Sequence, residues 1–244
     1  MKKKRYVFLY MFISLIIGFY FVTINTKTST AEEIGKFKVC IDPGHQKKGI
    51  NITEPNAPGS SLKKPKVSSG TRGVATKKWE YEVNLDCAKI LEKLLDTENY
   101  DVILTRNTNE ESISNIERAN LANDCSADLV IKIHCDSIGN SSKTGASILI
   151  PNKNNKHTAT IYENSYKFAK ELERELKENG VKVNGVFERN DMTGFNWSKV
   201  PVITFEMGFM SNPNEDYMLN NSSYQQKLME CVKRAVDSYK LIEN

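Results

Sequence analysis

The chain has 244 residues, with 34 Lys or Arg, 30 Asp or Glu and 39% hydrophobic residues. That is enough to bury one α/β domain, and too mixed for a collagen-like, low-complexity or polytopic membrane protein. The formal charge of +4 is unevenly placed: residues 1–31 hold Lys2, Lys3, Lys4, Arg5 and Lys27 and no acid, so the bases and acids of the remainder nearly cancel. Such a balance builds no phosphate-binding surface, and no nucleic acid partner is expected.

Lys2–Arg5 precede Tyr6–Ile24, an uncharged, largely apolar stretch. As a helix it would reach about 28 Å, close to the roughly 30 Å of a bilayer core. Residues 1–31 are therefore expected to be a signal peptide or, slightly favoured, an uncleaved membrane anchor with its linker. Ser29-Thr30-Ala31 offers a small-residue cleavage site. Either outcome exports residues 32–244 as a single domain facing the outside. The five cysteines, Cys40, Cys87, Cys125, Cys135 and Cys231, are odd in number and lack CxxC spacing, so free thiols are expected rather than a disulfide framework or structural zinc.

Strands and helices alternate after that. Phe37–Asp42 (FKVCID) predicts a buried strand stopped by Pro-Gly, and Gln46–Lys78, rich in Gly, Pro, Ser, Thr and Lys, predicts a long functional loop. Trp79–Leu95 has helical spacing, Tyr100–Thr105 predicts a second strand and Ile113–Asn123 a short helix. Leu129–His134 (LVIKIH) and Ala146–Ile150 are further strands. Thr158–Glu178 is a helix closed by Asn179-Gly180, Val181–Val186 a fifth strand, Val202–Glu206 a sixth and Tyr224–Tyr239 a last helix. The order implies an α/β fold, a mostly parallel mixed sheet of about six strands with helices on both faces.

Three polar residues close three of these strands: His45 follows the first, His134 ends the third and Glu206 ends the last. The carboxyl ends of parallel strands border the ligand crevice, so the three are expected to converge. Two imidazoles and a carboxylate are the ligand set of a catalytic zinc with one place open. Glu80 or its neighbour Glu82 could supply that carboxylate. With His45, Glu80 and His134 on the metal, Glu206 is left as general base for amide hydrolysis.

IDPGH (Ile41–His45), EYEVNL (Glu80–Leu85), TR (Thr105-Arg106), RANLAN (Arg118–Asn123), ADLVIKIHCDS (Ala127–Ser137) and VPVITFEMGFMSN (Val200–Asn212) follow one another in order and spacing. Together they resemble the zinc-dependent N-acetylmuramoyl-L-alanine amidases of bacterial peptidoglycan, over about Lys38 to Tyr239. The resemblance implies a six-stranded mixed sheet and cleavage of the amide between the lactyl group of N-acetylmuramic acid and L-alanine. It makes His45, Glu80 and His134 the zinc ligands and Glu206 the catalytic glutamate, and leaves Glu82 outside the pattern. A single catalytic domain behind a membrane segment further resembles the spore-cortex type, which prepares muramic-δ-lactam formation. That type implies residence in the forespore intermembrane space and an accessory exported protein for activity or zinc loading.

The chain departs from the family pattern at three places. Gln46-Lys47 replace a frequent Gly-Gly, Lys132 a frequent serine, and Cys135-Asp136 a frequent Ala-Asn. Cys135 is expected to pack, and Asp136 either to orient an imidazole or to cap a turn. Phe195 and Trp197 either stack on a sugar or pack beneath their loop, Glu188 and Arg189 either contact the stem peptide or, as favoured, form a solvated pair, and His157 is expected to be exposed. Competing readings are a metal-free glycoside hydrolase using Asp42 and Glu206, a zinc peptidase cutting within the stem peptide, and an inactive wall-binding scaffold.

Overall fold

The computed structural model describes residues 35–243; the expected export segment, residues 1–31, lies outside the described residues. Eight strands and six helices run in the order β1 (Phe37–Pro43), β2 (Ile50–Pro55), β3 (Lys63–Val67), α1 (Glu80–Leu95), β4 (Tyr100–Leu104), α2 (Asn115–Asp124), β5 (Leu129–Asp136), β6 (Ala146–Pro151), α3 (Ala159–Glu178), β7 (Val183–Arg189), α4 (Thr193–Asn196), β8 (Val202–Phe209), α5 (Pro213–Leu219) and α6 (Ser222–Glu243). Six strands form one sheet in the order β4-β1-β5-β8-β6-β7. Every neighbouring pair is parallel except β6 and β8, which run antiparallel. The α/β class and the mostly parallel mixed sheet are as the sequence implied. Among the described residues no helix is long and apolar enough to cross a membrane.

Alternation along the central strands divides the sheet into two unlike faces. Val39 and Ile41 of β1, Leu129, Ile131 and Ile133 of β5, and Ile203 and Phe205 of β8 point to a large core shared with α1, α3 and α6. The intervening Cys40, Val130 and Val202 pack in a smaller cluster with Ala122 of α2 and Phe195 of α4. That smaller cover leaves the carboxyl-terminal halves of β1, β5 and β8 for polar residues: Asp42, Lys132, His134 and Glu206 occupy the register positions that continue the face of Cys40, Val130 and Val202. The functional residues thus sit on the thinly covered face, where a strand can present a side chain without opening the main core.

Two strands run further than their apolar runs suggest. β5 continues two residues past His134 and β8 three past Glu206, the pairing shifting register between His134 and Asp136. Glu206 therefore lies within a strand flanked by β5 and β6 rather than at its end, held by pairing on both edges. The expected loop Gln46–Lys78 also needs correction, because it contains the antiparallel hairpin β2–β3. Lysines and prolines obscure its alternation, and its one acid, Glu54, is buried and accepts the backbone N–H of Ile116 at 3.1 Å. The far end of the segment is tied down by the buried Asp216 of α5, which accepts from the N–H groups of Ala75 and Thr76 at 2.8 and 2.7 Å. The helices start where capping chemistry predicts: Ser114 and Glu117 form a reciprocal capping box on α2, and Gly180, at φ 69°, follows the end of α3.

Candidate metal centre and its cleft

The centre begins with a turn that the backbone would not adopt unaided. After β1 the chain turns through Gly44 into His45, whose φ of 61° lies in the left-handed region that non-glycine residues seldom occupy. Two buried arginines hold it there. Arg106 donates through Nε to the Pro43 carbonyl (2.9 Å) and through Nη2 to the Gly44 carbonyl (3.1 Å). Arg118 donates through Nη1 to the Pro43 carbonyl (2.8 Å) and through Nη2 to the His45 carbonyl (3.0 Å). Each carbonyl of the turn therefore meets a planar guanidinium, whose fixed fork of donors suits this task better than a flexible ammonium would. Arg118 also donates to Asp42 (2.7 Å), and Lys132 ion-pairs with the same carboxylate. Burial works to raise the Asp42 pKa, but Lys132 and Arg118 hold it well below the ordinary carboxylate range.

Glu80 opens α1 directly beneath this turn. Its Oε1 lies 3.2 Å from His45 Nε2 and 3.0 Å from His134 Nδ1. It also accepts from the Cys135 N–H at 3.2 Å, while Oε2 accepts from the Thr71 N–H at 2.9 Å. The two imidazoles meet edge to face with centroids 4.8 Å apart. Against the effect of burial, the neighbouring His45 and His134 keep Glu80 ionised far below its usual range. Burial in turn lowers the His134 pKa, which favours the neutral, ligating form. His45 Nδ1 faces the Ser68 carbonyl (3.1 Å) and hydroxyl (2.9 Å), so Nε2 is left free to bind.

The donor set tests well against a divalent ion. His45, Glu80 and His134 each offer one ligand atom, all within 4.8 Å of one another. Donors bound tetrahedrally at the usual zinc distances stand about 3.3 Å apart, and the two measured gaps to Glu80 fall near that value. Glycines make room for the arrangement. A Cβ at Gly44 would lie 2.1 Å from the His134 ring, and one at Gly70 would lie 2.5 Å from Glu80 Oε2.

Glu206 is the register neighbour of His134 on the adjacent strand, and the two side chains share a face. Burial and the negative charges of Glu80 and Asp136 raise its pKa well above the ordinary value, with Arg189 opposing. Beside the histidines lies a cleft of about 300 Å³, walled by Lys64, Pro65 and Ser68 from the hairpin side and by Lys132 and Met192–Gly194 from the sheet and α4. The segment expected to be an unstructured loop is thus one wall of the site.

A family model described as N-acetylmuramoyl-L-alanine amidase, Amidase_3, matches residues 39–238. The chain belongs to this family. It is accordingly an amidase of the peptidoglycan hydrolase class. The N-acetylmuramoyl-L-alanine amidase LytC of Bacillus subtilis is 29% identical over 163 residues, covering 66% of this chain and 31% of LytC, so the chain spans about a third of that relative. Among solved structures, the N-acetylmuramyl-L-alanine amidase Ami1 of Mycobacterium abscessus superimposes with a TM-score of 0.76 at 22% identity, over 84% of this chain and 99% of that one. The CwlD amidase of Clostridioides difficile, solved in complex with the GerS lipoprotein, gives 0.67 at 19% identity, over 85% and 100%. At those identities the two structures share the fold.

The structure brings His45, Glu80 and His134 together and sets Glu206 beside them. Glu82 is occupied elsewhere, accepting the Trp79 N–H at 2.8 Å as a helix cap. Cys135 packs in the main core, and burial pushes its thiol far up. Asp136, the last residue of β5, accepts the N–H of Ser137 at 2.7 Å. Phe195 is fully buried and the Trp197 indole donates to the Pro55 carbonyl at 3.0 Å, so both pack beneath their loop. Glu188 and Arg189 do not pair. Glu188 accepts from Asn152, Lys153 and Tyr162, whereas Arg189 pairs with Asp191. His157 is half-buried rather than exposed. The five thiols are all free. Arg106, Arg118 and Asn84 belong to the TR, RANLAN and EYEVNL motifs, but their types alone carry no signal of these roles, and Ser68 belongs to no motif. Asn84 donates to the Gly44 carbonyl at 3.1 Å and to Glu80 Oε1 at 3.4 Å, joining two parts of the centre.

Proposed function

We propose that the chain cleaves the amide between the lactyl group of N-acetylmuramic acid and the L-alanine of the stem peptide, with one zinc ion held by His45, Glu80 and His134 and with Glu206 as general base. The observation that carries this reading is the convergence of two imidazoles on one buried carboxylate, with a second carboxylate on the next strand. The chemistry such an ion supplies is polarisation of the scissile carbonyl and acidification of a water molecule. Glu206, whose carboxylate is more basic than usual, takes the proton from the attacking water. The water oxygen bonds to the carbonyl carbon, the carbon–nitrogen bond breaks, and Glu206 returns its proton to the departing alanine nitrogen. Glu80 stays ionised throughout, and Ser68 fixes the tautomer of His45 so that Nε2 keeps its lone pair.

The site lies in an exported domain on this reading, residues 32–244 acting on the wall behind a cleaved or anchored segment 1–31. The substrate is the spore cortex, where removal of the stem peptide prepares muramic-δ-lactam formation. An accessory exported protein assists activity or zinc loading. CwlD of Clostridioides difficile, which shares the fold and was solved with the GerS lipoprotein, is a precedent for such a partner.

Digestion of purified peptidoglycan tests the core of the proposal. Zinc-supplied protein should release free stem peptides beginning with L-alanine, and chelator or Glu206→Ala should abolish release. Products cut within the stem peptide, or reducing sugar ends that form despite the chelator, would contradict it. Spores of a strain lacking the protein should lack muramic-δ-lactam, and normal lactam content would refute the cortex role.

A further inference from the structure

The cleft beside the histidines carries more positive charge than its chemistry as an amide hydrolase requires. Lys132 stands two residues before His134 on the same face of β5, and Lys64 faces it from strand β3 of the hairpin. Among the described residues no acid lines the cleft, and Glu80 is taken up between the two imidazoles.

Both lysines have a carboxylate partner, but in each case that carboxylate is shared with a second cation. Asp42 answers Lys132 and also Arg118. Asp191 answers Lys64 and also Arg189, which grips it through Nε at 2.8 Å and Nη2 at 2.9 Å. Each carboxylate thus answers two cations, and neither lysine has an acid to itself. An ammonium has three protons to donate: Lys64 directs two of them to the backbone carbonyl and the carboxylate of Asp191, and one remains for a ligand. Lys132 is largely buried but lines the cleft, and Gly194 lies against it: a Cβ there would stand 3.2 Å from Nζ and crowd the ammonium.

We infer that Lys64 and Lys132 form a carboxylate-binding subsite for the second residue of the stem peptide. This rests on the function proposed above and extends it from the bond cleaved to the peptide recognised. A stem peptide leaving the centre places alanine first. The next residue is a γ-linked glutamate, whose α-carboxyl group is either free or amidated in different walls. In a cleft of about 300 Å³ that begins at the histidines, the first negative charge along the peptide is that α-carboxylate. Two lysines from opposite walls favour the free acid and discriminate against the neutral amide. This assigns a role to Lys132, where the family often has serine, and to a hairpin lysine that belongs to no family motif.

The test uses the full-length protein in detergent, supplied with zinc, and two ligands of nearly equal size: N-acetylmuramoyl-L-alanyl-γ-D-glutamyl-L-alanine amide, whose glutamate keeps a free α-carboxylate, and the same compound with that carboxyl converted to its α-amide. Hydrolysis is followed with the wild type, and binding is measured by calorimetry with the Glu206→Ala variant. A charge-assisted contact of the usual strength gives the free acid an advantage of about tenfold or more in KM and in Kd. Lys64→Ala should shrink that advantage with kcat little changed, Lys132→Ser should shrink the ratio of acid to amide whatever the loss of an Asp42 partner does to kcat, and Lys132→Arg should retain it. A merely structural role would shift both ligands equally. Equal affinity for acid and amide in the wild type, an advantage untouched by both variants, or no binding of either ligand would overturn the inference. Preference for the acid in binding without any hydrolysis would leave the subsite standing and refute the bond assignment instead.

Discussion

Replacing Arg118 by alanine separates the support of the His45 turn from the metal centre it presents. The guanidinium is nearly fully buried and serves Asp42, the Pro43 and His45 carbonyls and the Gln46 amide oxygen, the last at 3.2 Å. Asp42 would keep Lys132 and Thr105, Pro43 would keep Arg106, and Gln46 would keep the Ile113 N–H. The carbonyl of His45 would lose its donor outright. Removing one member of a buried ion pair costs about 3–5 kcal/mol, and orphaning a buried carbonyl about 1–3 kcal/mol. With the remaining partners offsetting part of the first amount, Arg118→Ala should destabilise the metal-free protein by about 4 kcal/mol. For a domain of this size that lowers Tm by roughly 10 °C. His45 would also be freed to leave its left-handed conformation, so zinc affinity should fall by about 10- to 100-fold, as for other changes one bond removed from a metal ligand. Urea unfolding of the metal-free protein and competition with a zinc-binding dye measure the two effects separately. Arg118→Lys should recover part of the stability through Asp42 but not the zinc affinity. Destabilisation below about 1 kcal/mol with unchanged zinc affinity would refute the reasoning.

The other predictions touch the centre from different sides. Gly44→Ala drives a methyl group into the His134 ring, and should abolish stoichiometric zinc binding while leaving far-ultraviolet circular dichroism unaltered; normal zinc content in the variant would contradict it. Ser68→Ala removes the hydroxyl facing His45 Nδ1 but not the backbone carbonyl, so a fall in zinc affinity near tenfold, the low end for such positions, is expected in the same dye competition. Asp42 has a folded pKa far below its unfolded value of about 3.9. The stability it contributes is therefore fully present above that value and is lost progressively as pH falls below about 4. Asp42→Asn should flatten the acid limb of stability against pH between roughly pH 4 and 2, and an unchanged limb would refute the assignment.

The sequence revealed those parts of the molecule that follow from short-range patterns. The buried runs FKVCID, LVIKIH and VITFE announced three central parallel strands, and the Asn179-Gly180 stop bounded α3, because burial on both faces and capping chemistry leave local signatures. His45, His134 and Glu206 were legible by their place at the ends of apolar runs, and Glu80 by the resemblance of six motifs. What was not legible depended on distant partners. β5 and β8 outrun their apolar runs because they go on pairing with each other, Asp136 opposite Phe209, a property of the sheet and not of either segment. The hairpin β2–β3 hides behind lysines and prolines, since its pairing is fixed by Glu54 reaching α2 and by Asp216 holding the segment that follows. The choice between Glu80 and Glu82 could be made from the chain only by resemblance. In the structure it is settled by direction, one carboxylate turned to the histidines and the other closing the first turn of its own helix. The two arginines were visible as motif letters, but their purpose appears only when three carbonyls of a left-handed turn are found to need donors.

Metal analysis joined to turnover tests the central claim most directly. The purified protein should bind one zinc ion per chain, lose stem-peptide release on removal of that ion, regain it on adding zinc back, and lose both zinc and activity in His45→Ala. Full release of stem peptides by protein shown to contain no metal would contradict the account.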